Sequence, residues 1–499
     1  MLDLFPEWLK AWLALGPVLV VLSLAFTLGT IAAVLLDRRS RSASAMSWVL
    51  VCVLVPFVGP GLYWFLGKPW LSAGRAKAYR RVAEERAEAR RRESTAGGAL
   101  ARRVMGHEIR AVLCPEQRHL ASQAATIAGD EPVGGNEIEV FEESDELFEA
   151  VARDIDAADK HVHVLYYIAL DDEASRPVFT ALEAAARRGV KCRMLLDALG
   201  SKPFLASPRA ANLRAAGVEL VEALPVGFFR RRFGRIDLRN HRKLIVIDGA
   251  IGYIGSHNLA AREFKVKARY SPWIDATMRV VGPVANDLQK IFAEDWYIEN
   301  DEELWDLVVE GPLSEARPAI AQVLATGPAT YESAMPQMIL SMVHAAEREV
   351  VLTTPYFVPD EPMMAALMTA ARRGVRTVLV VPERVDMKTV ALASRKFFHR
   401  LLESGVEIWQ YRGGLLHAKT VVADGNTSMM TSANLDRRSF ELNLEASLVI
   451  YDPAVSKRLR GVQQGYLDRS ARISLAAWIR RPAWKRLVEN AVGLLAPLL

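Results

Sequence analysis

The chain has 499 residues, which is enough for two or three domains with substantial cores. Its formal net charge of +5 and its sequence pI near 9.0 favour anionic partners, either a membrane surface or a nucleic acid. Its three cysteines, Cys52, Cys114 and Cys192, are far apart and lack metal-ligand spacing, which argues against a disulfide framework and a cysteine zinc site.

Apolar residues make up 51% of the chain, and their excess lies near its start. Residues 11–36 form a run of 26 residues without a charge, long enough to cross a bilayer with some tilt. Residues 45–66 form a second run of 22 residues, with aromatic side chains near its ends. A cleaved signal peptide fits poorly, because the first run is long, lacks a basic segment before it and is followed at once by another. We therefore predict a two-helix transmembrane hairpin over residues 1–70.

The basic residues around this hairpin predict its orientation. Residues 37–44 carry three Arg, whereas residues 68–92 carry nine Lys and Arg. Because the larger count follows the second run, the positive-inside rule places the rest of the chain in the cytoplasm. The density of the three-Arg cluster favours the opposite orientation.

Residues 71–130 connect the hairpin to the rest of the chain. Their basic part, residues 75–103, mixes Ala, Arg and Glu and predicts a helix followed by a loop. Two interpretations stay open for it. It is either a solvated linker or a segment that contacts an anionic leaflet, where each Lys or Arg contributes about 1 kcal/mol.

From about residue 133 the pattern changes to alternating strands and helices, and its second half repeats its first. Residues 157–160 match residues 345–348, each an Ala-Ala pair followed by an acidic and a basic residue. Residues 185–190 match residues 370–375, each an Ala-Ala-Arg-Arg-Gly-Val sequence. Self-similarity of this kind is typical of a duplicated structural unit.

We therefore predict an α/β fold of two tandem domains, each with a mixed sheet flanked by helices. The first domain covers residues 131–312 and the second covers residues 313–475, followed by a tail over residues 476–499. A pseudo-two-fold axis between the halves would bring corresponding positions together.

Each half carries the same polar motif beside a predicted buried strand. Counted from a His, both copies have Lys at +2, Asp at +7, Ser at +15 and Asn at +17. The ten residues are His241, Lys243, Asp248, Ser256, Asn258, His417, Lys419, Asp424, Ser432 and Asn434. Five polar positions repeated in register, 176 residues apart, are hard to ascribe to chance.

The apolar strand in each motif predicts a hairpin with a two-residue type II′ turn, at residues 249–250 and 425–426. That register pairs His with Asn and Lys with Ser on one face, and it turns the Asp to the other face. We therefore favour a structural role for Asp248 and Asp424. The other four positions of each motif suit a phosphate, because Lys supplies charge, Ser and Asn supply hydrogen bonds, and His acts as nucleophile or acid/base.

The two motifs resemble the His-x-Lys-x4-Asp motifs of the phospholipase D superfamily. Further stretches resemble bacterial cardiolipin synthases, namely residues 42–67, 235–243, 258–264, 272–275, 354–360 and 434–445. The resemblance implies transphosphatidylation through a phosphohistidine, in which two phosphatidylglycerols give cardiolipin and glycerol. It implies a multi-pass protein of the bacterial inner membrane, with the His, Lys and Asp of both motifs as the catalytic set and with no metal or other cofactor.

Two carboxylates after the motifs, Asp275 and Glu445, are our candidates for the groups that orient the two His. We assign nucleophilic attack to His241, because six Arg between residues 230 and 242 disfavour its protonated form. His417 has fewer basic residues close in sequence, so it is predicted to hold the proton for the leaving group.

Two segments suggest lipid contact. The first interleaves aromatic and basic residues at Phe228, Phe229, Arg230, Arg231 and Arg232. It could stack on nucleic acid bases, but the predicted hairpin favours insertion at a membrane interface, so we predict no nucleic acid partner. The tail places apolar and basic residues side by side and predicts an interfacial amphipathic helix, with a helix packed on the core as the other interpretation.

Two further functions remain open at this point. The same phosphohistidine resolved by water would make the protein a phospholipase D-type hydrolase, and a dead duplicated fold would make it a membrane scaffold. Both motifs are complete, which counts against the scaffold. The predicted partners are the bilayer and the anionic phospholipids phosphatidylglycerol and cardiolipin, while the sequence carries no signal for an oligomeric state.

Overall fold

A computed structural model of the chain describes most of it. The described residues are 7–37, 42–67, 74–75, 77–82, 84–85, 108–225, 238–308, 319–327 and 334–493. The chain divides into two compact units, Met1–Leu71 and Ser72–Leu499. Most of the basic part of the predicted linker, residues 75–103, and the predicted lipid-contact residues Phe228 to Arg232 lie outside the described residues.

The N-terminal unit consists of apolar helices. They are α1 (Glu7–Leu35), α2 (Ser42–Leu54) and α3 (Val58–Leu62), followed by a π-helical turn at Tyr63–Gly67. Within α1, Pro17–Leu35 has 19 residues; its most apolar 18-residue window has a mean hydropathy of 2.5, and only 17% of that window is buried. At about 1.5 Å per residue this stretch is close to the thickness of a hydrocarbon core.

The second apolar segment differs from the single span that we predict for residues 45–66. Helix α2 has 13 residues, about 20 Å in length, and the chain then turns at residues 55–57. Phe57 has a left-handed φ of 63° at this break. The segment packs back on α1 through Trp48 and Tyr63. Among the described residues, therefore, only α1 has the length and hydropathy of a membrane span.

The larger unit is built around a mixed sheet, which has fifteen strands within the described residues. The strands of this unit, including four short ones outside the main sheet, are β1 (Val133–Phe141), β2 (His161–Tyr166), β3 (Lys191–Asp197), β4 (Glu219–Ala223), β5 (Leu244–Ile247), β6 (Ile251–Gly255), β7 (Trp273–Ile274), β8 (Thr277–Val281), β9 (Ala319–Thr326), β10 (Glu349–Thr353), β11 (Phe357–Val358), β12 (Arg376–Pro382), β13 (Glu407–Tyr411), β14 (Leu415–Leu416), β15 (Thr420–Ala423), β16 (Thr427–Thr431), β17 (Leu435–Asp436), β18 (Glu445–Ile450) and β19 (Ser470–Arg472).

Helices cover both faces of this sheet. They are α4 (Pro115–Ala128), α5 (Ser144–Asp156), α6 (Arg176–Arg187), α7 (Lys202–Leu205), α8 (Pro208–Ala215), α9 (Pro283–Asn300), α10 (Ala334–Ala345), α11 (Glu361–Arg372), α12 (Lys388–Glu403), α13 (Arg437–Glu441), α14 (Pro453–Asp468), α15 (Leu475–Ile479) and α16 (Ala483–Gly493). Side chains of α9 and α14 share one apolar core on one face of the sheet. On the other face each half has its own core, formed with α5, α6 and α8 in the first half and with α4, α10, α11 and α12 in the second.

The strand order shows the predicted duplication directly. From the centre outwards, the first half runs β1-β8-β6-β5-β2-β3-β4 and the second runs β9-β18-β16-β15-β10-β12-β13, with β19 at the far edge. The halves join where β1 and β9 pair antiparallel. Each strand of the first half thus has a counterpart at the same distance from the centre. The predicted tandem α/β architecture with a mixed sheet is confirmed.

The predicted two-residue turn in each motif hairpin is wrong. Ile247 pairs with Ile251 and Ala423 pairs with Thr427, so each hairpin closes with three residues. The first residue of each loop, Asp248 or Asp424, has a left-handed φ of 52°. The register therefore shifts by one residue, and the predicted pairing of each Lys with its Ser, and of each His with its Asn, does not form.

Candidate active site

The aspartates of the two motifs lie at the turns of their hairpins and bind backbone. The carboxylate of Asp248 accepts hydrogen bonds from the N–H groups of residues 159, 160 and 161, at 2.9, 2.9 and 2.7 Å. Asp424 accepts from residues 347, 348 and 349, at 2.8, 2.8 and 2.9 Å. Each carboxylate fastens the hairpin to the start of the neighbouring strand, β2 or β10. These contacts support the structural role that we favour and explain the left-handed φ of both aspartates.

Backbone pairing between the halves places the first His. The N–H of His241 donates to the carbonyl of Leu444 at 2.9 Å, and the N–H of Leu444 donates to the carbonyl of Arg239 at the same distance. Leu444 directly precedes Glu445, at the start of β18. The main chain of the second half therefore brings a carboxylate beside the first motif.

The second His is placed by the equivalent pairing. Strand β14, which leads into the second motif, runs parallel to β7 of the first half. The N–H of His417 donates to the carbonyl of Ile274 at 2.7 Å, and Ile274 directly precedes Asp275. Each half therefore supplies one His and the carboxylate that meets the other half's His.

The side chains complete these two pairs. Nδ1 of His241 lies 3.0 Å from both carboxylate oxygens of Glu445, and Nδ1 of His417 lies 2.6 Å from Oδ1 of Asp275. Because an ionised carboxylate only accepts hydrogen bonds, both imidazoles carry a proton on Nδ1. In the neutral imidazoles this leaves the lone pair on Nε2, the nitrogen that can react. The structure thus brings both predicted carboxylates within hydrogen-bond distance of a motif His.

The serines of the motifs contact the same carboxylates. Oγ of Ser256 donates to Oδ1 of Asp275 at 2.6 Å, and Oγ of Ser432 donates to Oε2 of Glu445 at 2.5 Å. The Ser256 hydroxyl also accepts a hydrogen bond from the N–H of Ala276, just before β8, and the Ser432 hydroxyl accepts one from the N–H of Ala446 in β18. The hydroxyl protons therefore point to carboxylates, which differs from the direct phosphate contact that we predict for these serines.

The two lysines lie deep in the site, and each side chain is only 1% exposed. The Nζ of Lys243 donates to the carbonyl of His241 at 2.8 Å, and the Nζ of Lys419 donates to the carbonyl of His417 at 2.6 Å. Burial lowers the pKa of Lys243 to about 8 and the pKa of Lys419 to about 7. An ammonium group carries three donors, so each Lys has capacity left for an anionic ligand.

The asparagines of the motifs supply polar groups that the protein leaves unused. Asn258 and Asn434 are buried, and their side-chain oxygens have no hydrogen-bond partner within the described part of the chain. Leaving buried amide groups unpaired is costly, so such groups in a cluster with Lys and His favour contact with a ligand.

The electrostatics of the site favour neutral imidazoles beside ionised carboxylates. Burial, together with the charges of Lys243 and Lys419, lowers the pKa of His241 and of His417 to about 4, although the carboxylates oppose this. Burial opposes ionisation of the two carboxyls, but the adjoining His and Lys groups hold their pKa values below the ordinary range. The two ammonium groups then balance the two carboxylates.

The surroundings of the two His are not the same. The ring of Trp273 lies 4.6 Å from the ring of His417, whereas Tyr167 lies 4.9 Å from His241. Two residues before the second carboxylate, where the first half has Trp273, stands Asn443, and its amide donates to Glu445 at 3.2 Å. The Glu445 carboxylate therefore accepts hydrogen bonds from three side chains, whereas the Asp275 carboxylate accepts them from His417 and one serine.

A buried ionic network supports the first motif, and it was not predicted from the sequence. Arg242 forms a 2.6 Å ion pair with Asp295 of α9 and donates to the carbonyl of Glu445. Arg239 pairs with Asp197 at the end of β3, at 3.2 Å. The available signal was an acidic residue at the end of the apolar strand β3 and acidic residues among the apolar residues of α9.

This network corrects the reason that we gave for the low pKa of His241. The two arginines nearest to it are neutralised by aspartates, so burial and the two lysines lower its pKa instead. The arginines at positions 230, 231, 232 and 235 lie outside the described residues.

Comparison with known proteins gives consistent matches. Residues 151–296 and 339–464 match the family described as cardiolipin synthase, PLD-like domain, and residues 20–68 match a phospholipase D-nuclease N-terminal family. Cardiolipin synthase A of Klebsiella pneumoniae (strain 342) is 37% identical over 486 residues, which cover 96% of this chain and 98% of that protein. Cardiolipin synthase A of Yersinia pestis is 38% identical over 473 residues, which cover 93% and 95%.

A solved structure shares the fold. Phosphatidylserine synthase of Haemophilus influenzae Rd KW20 matches with a TM-score of 0.58, covering 76% of this chain and 100% of that chain. The sequence identity of that match is 15%, so the likeness concerns the fold alone.

Proposed function

Because this chain belongs to the cardiolipin synthase family of phospholipase D-like proteins, we propose that it transfers a phosphatidyl group between two molecules of phosphatidylglycerol, giving cardiolipin and glycerol. The observation that carries the proposal is the pair of buried His, each hydrogen-bonded through Nδ1 to a carboxylate of the other half. Two imidazoles held this way, with two lysines beside them, suit a two-step displacement at phosphorus.

In the first step, Nε2 of His241 attacks the phosphorus of one phosphatidylglycerol. The P–N bond forms while the bond from phosphorus to the headgroup oxygen breaks. His417, which takes up a proton on Nε2 when the phosphate anion binds, gives that proton to the leaving oxygen. Free glycerol leaves, and the phosphatidyl group stays on His241.

In the second step, His417 takes the proton from a headgroup hydroxyl of a second phosphatidylglycerol. The oxygen attacks phosphorus, the P–N bond breaks, and cardiolipin leaves with His241 restored to its neutral form. The proton returns to His417, so the cycle is balanced without a metal ion or another cofactor.

The contacts of the carboxylates support this assignment of roles. Asp275 lies 2.6 Å from His417 and has one serine as its other side-chain partner, so its charge is well placed to stabilise an imidazolium. Glu445 lies 3.0 Å from His241 and also accepts from Ser432 and Asn443. His417 is therefore the better proton holder and His241 the better neutral nucleophile.

We assign the remaining motif residues by their contacts. Lys243 and Lys419 neutralise the non-bridging oxygens of the phosphoryl group, and the amides of Asn258 and Asn434 hydrogen-bond to the substrate. The two serines hold the carboxylates in place, which replaces the phosphate contact that we predict from the sequence.

The substrates are lipids, and the N-terminal unit is the membrane anchor in this proposal. Helix α1 crosses the bilayer, and the second apolar segment completes the hairpin beside it, since the two are joined by a hydrogen bond of 3.0 Å from Trp64 to Thr30. The larger count of basic residues after the hairpin supports a cytoplasmic catalytic unit in a bacterial inner membrane.

The test uses the purified full-length chain in nanodiscs that contain phosphatidylglycerol labelled in its glycerol headgroup, with a chelator present. We expect one free glycerol for each cardiolipin formed. Phosphatidic acid and glycerol without cardiolipin would show a phospholipase D-type hydrolase instead. If a preparation that unfolds cooperatively on heating forms neither cardiolipin nor phosphatidic acid, the protein does not turn over this lipid and the proposal is wrong.

A further inference from the structure

The last helix that the structure describes, α16, turns its apolar face away from the described part of the protein. Trp484, Leu487 and Val488 recur at the spacing of one helix face, and they are 62%, 70% and 40% exposed. The buried residues of α16 are Glu489 and Gly493, on the opposite side. A helix that merely completed the core would show the reverse arrangement.

The opposite face of α16 is anchored by specific contacts. Glu489 forms an ion pair with Arg481, at 2.7 and 3.0 Å, and the Arg481 guanidinium stacks on Trp478. Trp478 packs in turn against Phe398 of α12, with ring centroids 5.3 Å apart. Gly493 lies so close to α12 that a Cβ there would meet a side chain at 2.4 Å. The contacts of Glu489 and Gly493 therefore fix the orientation of α16.

Exposed cationic side chains lie on the helix that carries the apolar stripe and just before it. Arg480, Lys485 and Arg486 are exposed, and Lys485 lies 5.6 Å from the ring of Trp484. An apolar stripe flanked by basic residues is the pattern of a helix that lies in a membrane interface. The same charges disfavour a second copy of the chain on this face, because they would repel each other across the contact.

We propose that the face of α16 formed by Trp484, Leu487 and Val488 docks on the surface of a bilayer that contains anionic phospholipid. The three apolar side chains enter the acyl boundary, and the flanking cations contact lipid phosphates. This docking is a membrane contact in addition to the apolar helices at the N terminus. It does not depend on any step of the proposed reaction.

The experiment places an environment-sensitive NBD label on Leu487→Cys in the full-length chain, with Cys114→Ala as the background. Cys52 and Cys192 are buried, at 0% and 1% exposure, and will not compete for the label. In nanodiscs containing phosphatidylglycerol, we expect a blue-shifted emission that loses most of its intensity when the lipids carry doxyl groups. The matched control, Ala211→Cys on exposed α8, should stay water-like and unquenched.

Charge reversal tests the anionic requirement. The paired change Lys485→Glu and Arg486→Glu should reduce the doxyl quenching at position 487, whereas Lys202→Glu, at an exposed site on α7, should leave it unchanged. A label at position 487 that stays water-like would overturn the proposal. Shielding without lipid quenching, together with cross-linking between copies, would overturn it in favour of self-association. Neither readout depends on whether cardiolipin is made.

Discussion

His241 and Glu445 are 204 residues apart in the chain, yet Nδ1 of His241 lies 3.0 Å from both oxygens of the Glu445 carboxylate. The same relationship links His417 to Asp275, 142 residues apart, in the opposite direction between the halves. A half by itself would hold a His without its carboxylate. The duplication therefore makes one site from two incomplete ones, and the docking of the halves is a condition of function.

We expect Glu445→Gln and Asp275→Asn each to lower kcat for cardiolipin formation by roughly 100-fold or more, since each removes the charge that stabilises one imidazolium and fixes its tautomer. The measurement is turnover of labelled phosphatidylglycerol by each variant, with thermal unfolding of the same samples. The control is Asn443→Ala, which removes a donor to Glu445 but keeps the charge and should cost far less. Nearly full activity of either carboxylate variant would contradict the orienting role.

The motif aspartates should behave differently. Asp248→Asn and Asp424→Asn each keep one oxygen but place an NH2 group against backbone donors, which should destabilise the fold by about 1–3 kcal/mol. Activity per folded molecule should stay near that of the parent, as measured below the unfolding transition. Lost activity at an unchanged Tm would show that these residues serve the chemistry directly.

Binding of a phosphodiester should be linked to uptake of a proton. The site holds two ammonium groups and two carboxylates, so an added anion leaves a negative excess that a neutral imidazole can remove by protonation. The pKa of that His rises from about 4 on binding, so the affinity should fall as pH rises through the raised value. The measurement is the Tm increase caused by diethyl phosphate, which should be larger at pH 4.5 than at pH 6, because both lysines, with pKa values of about 8 and 7, stay protonated across this window.

The control for this linkage is His417→Gln, which removes the proposed proton holder. Its Tm increase with diethyl phosphate should depend much less on pH than that of the parent protein. An equal increase at both pH values in the parent would show that the anion is bound without a proton.

Much of this architecture could be predicted from the sequence. Repeats such as residues 185–190 and 370–375 revealed the duplication, because equivalent halves keep equivalent helix ends. The motifs located His241 and His417, and the runs after them located Asp275 and Glu445. These inferences succeed because the relevant residues are close in sequence to a repeated pattern.

The features that could not be predicted from the sequence depend on contacts between distant residues or on the direction of the backbone. The turn register was missed because the backbone donors that hold Asp248 come from residues 159–161, which no local pattern connects with the hairpin. The break after Leu54 was missed because hydropathy averages over a window and does not register a change of backbone direction. In α16, periodicity identified an apolar stripe but not the side on which the helix packs.

A substrate with a better leaving group than glycerol can identify the nucleophile. A substrate with a p-nitrophenol leaving group in place of glycerol needs no general acid, so His417→Gln should still release p-nitrophenol from it. We expect a burst equal to the enzyme concentration followed by little turnover, because the base for the second step is missing. Acid-sensitive phosphate label should then accumulate on the peptide that contains His241. The matched variant, His241→Gln, should show no burst and no label. A burst from His241→Gln with label on the peptide of His417 would show that the two roles are reversed, and that the contacts of Asp275 do not decide which imidazole holds the proton.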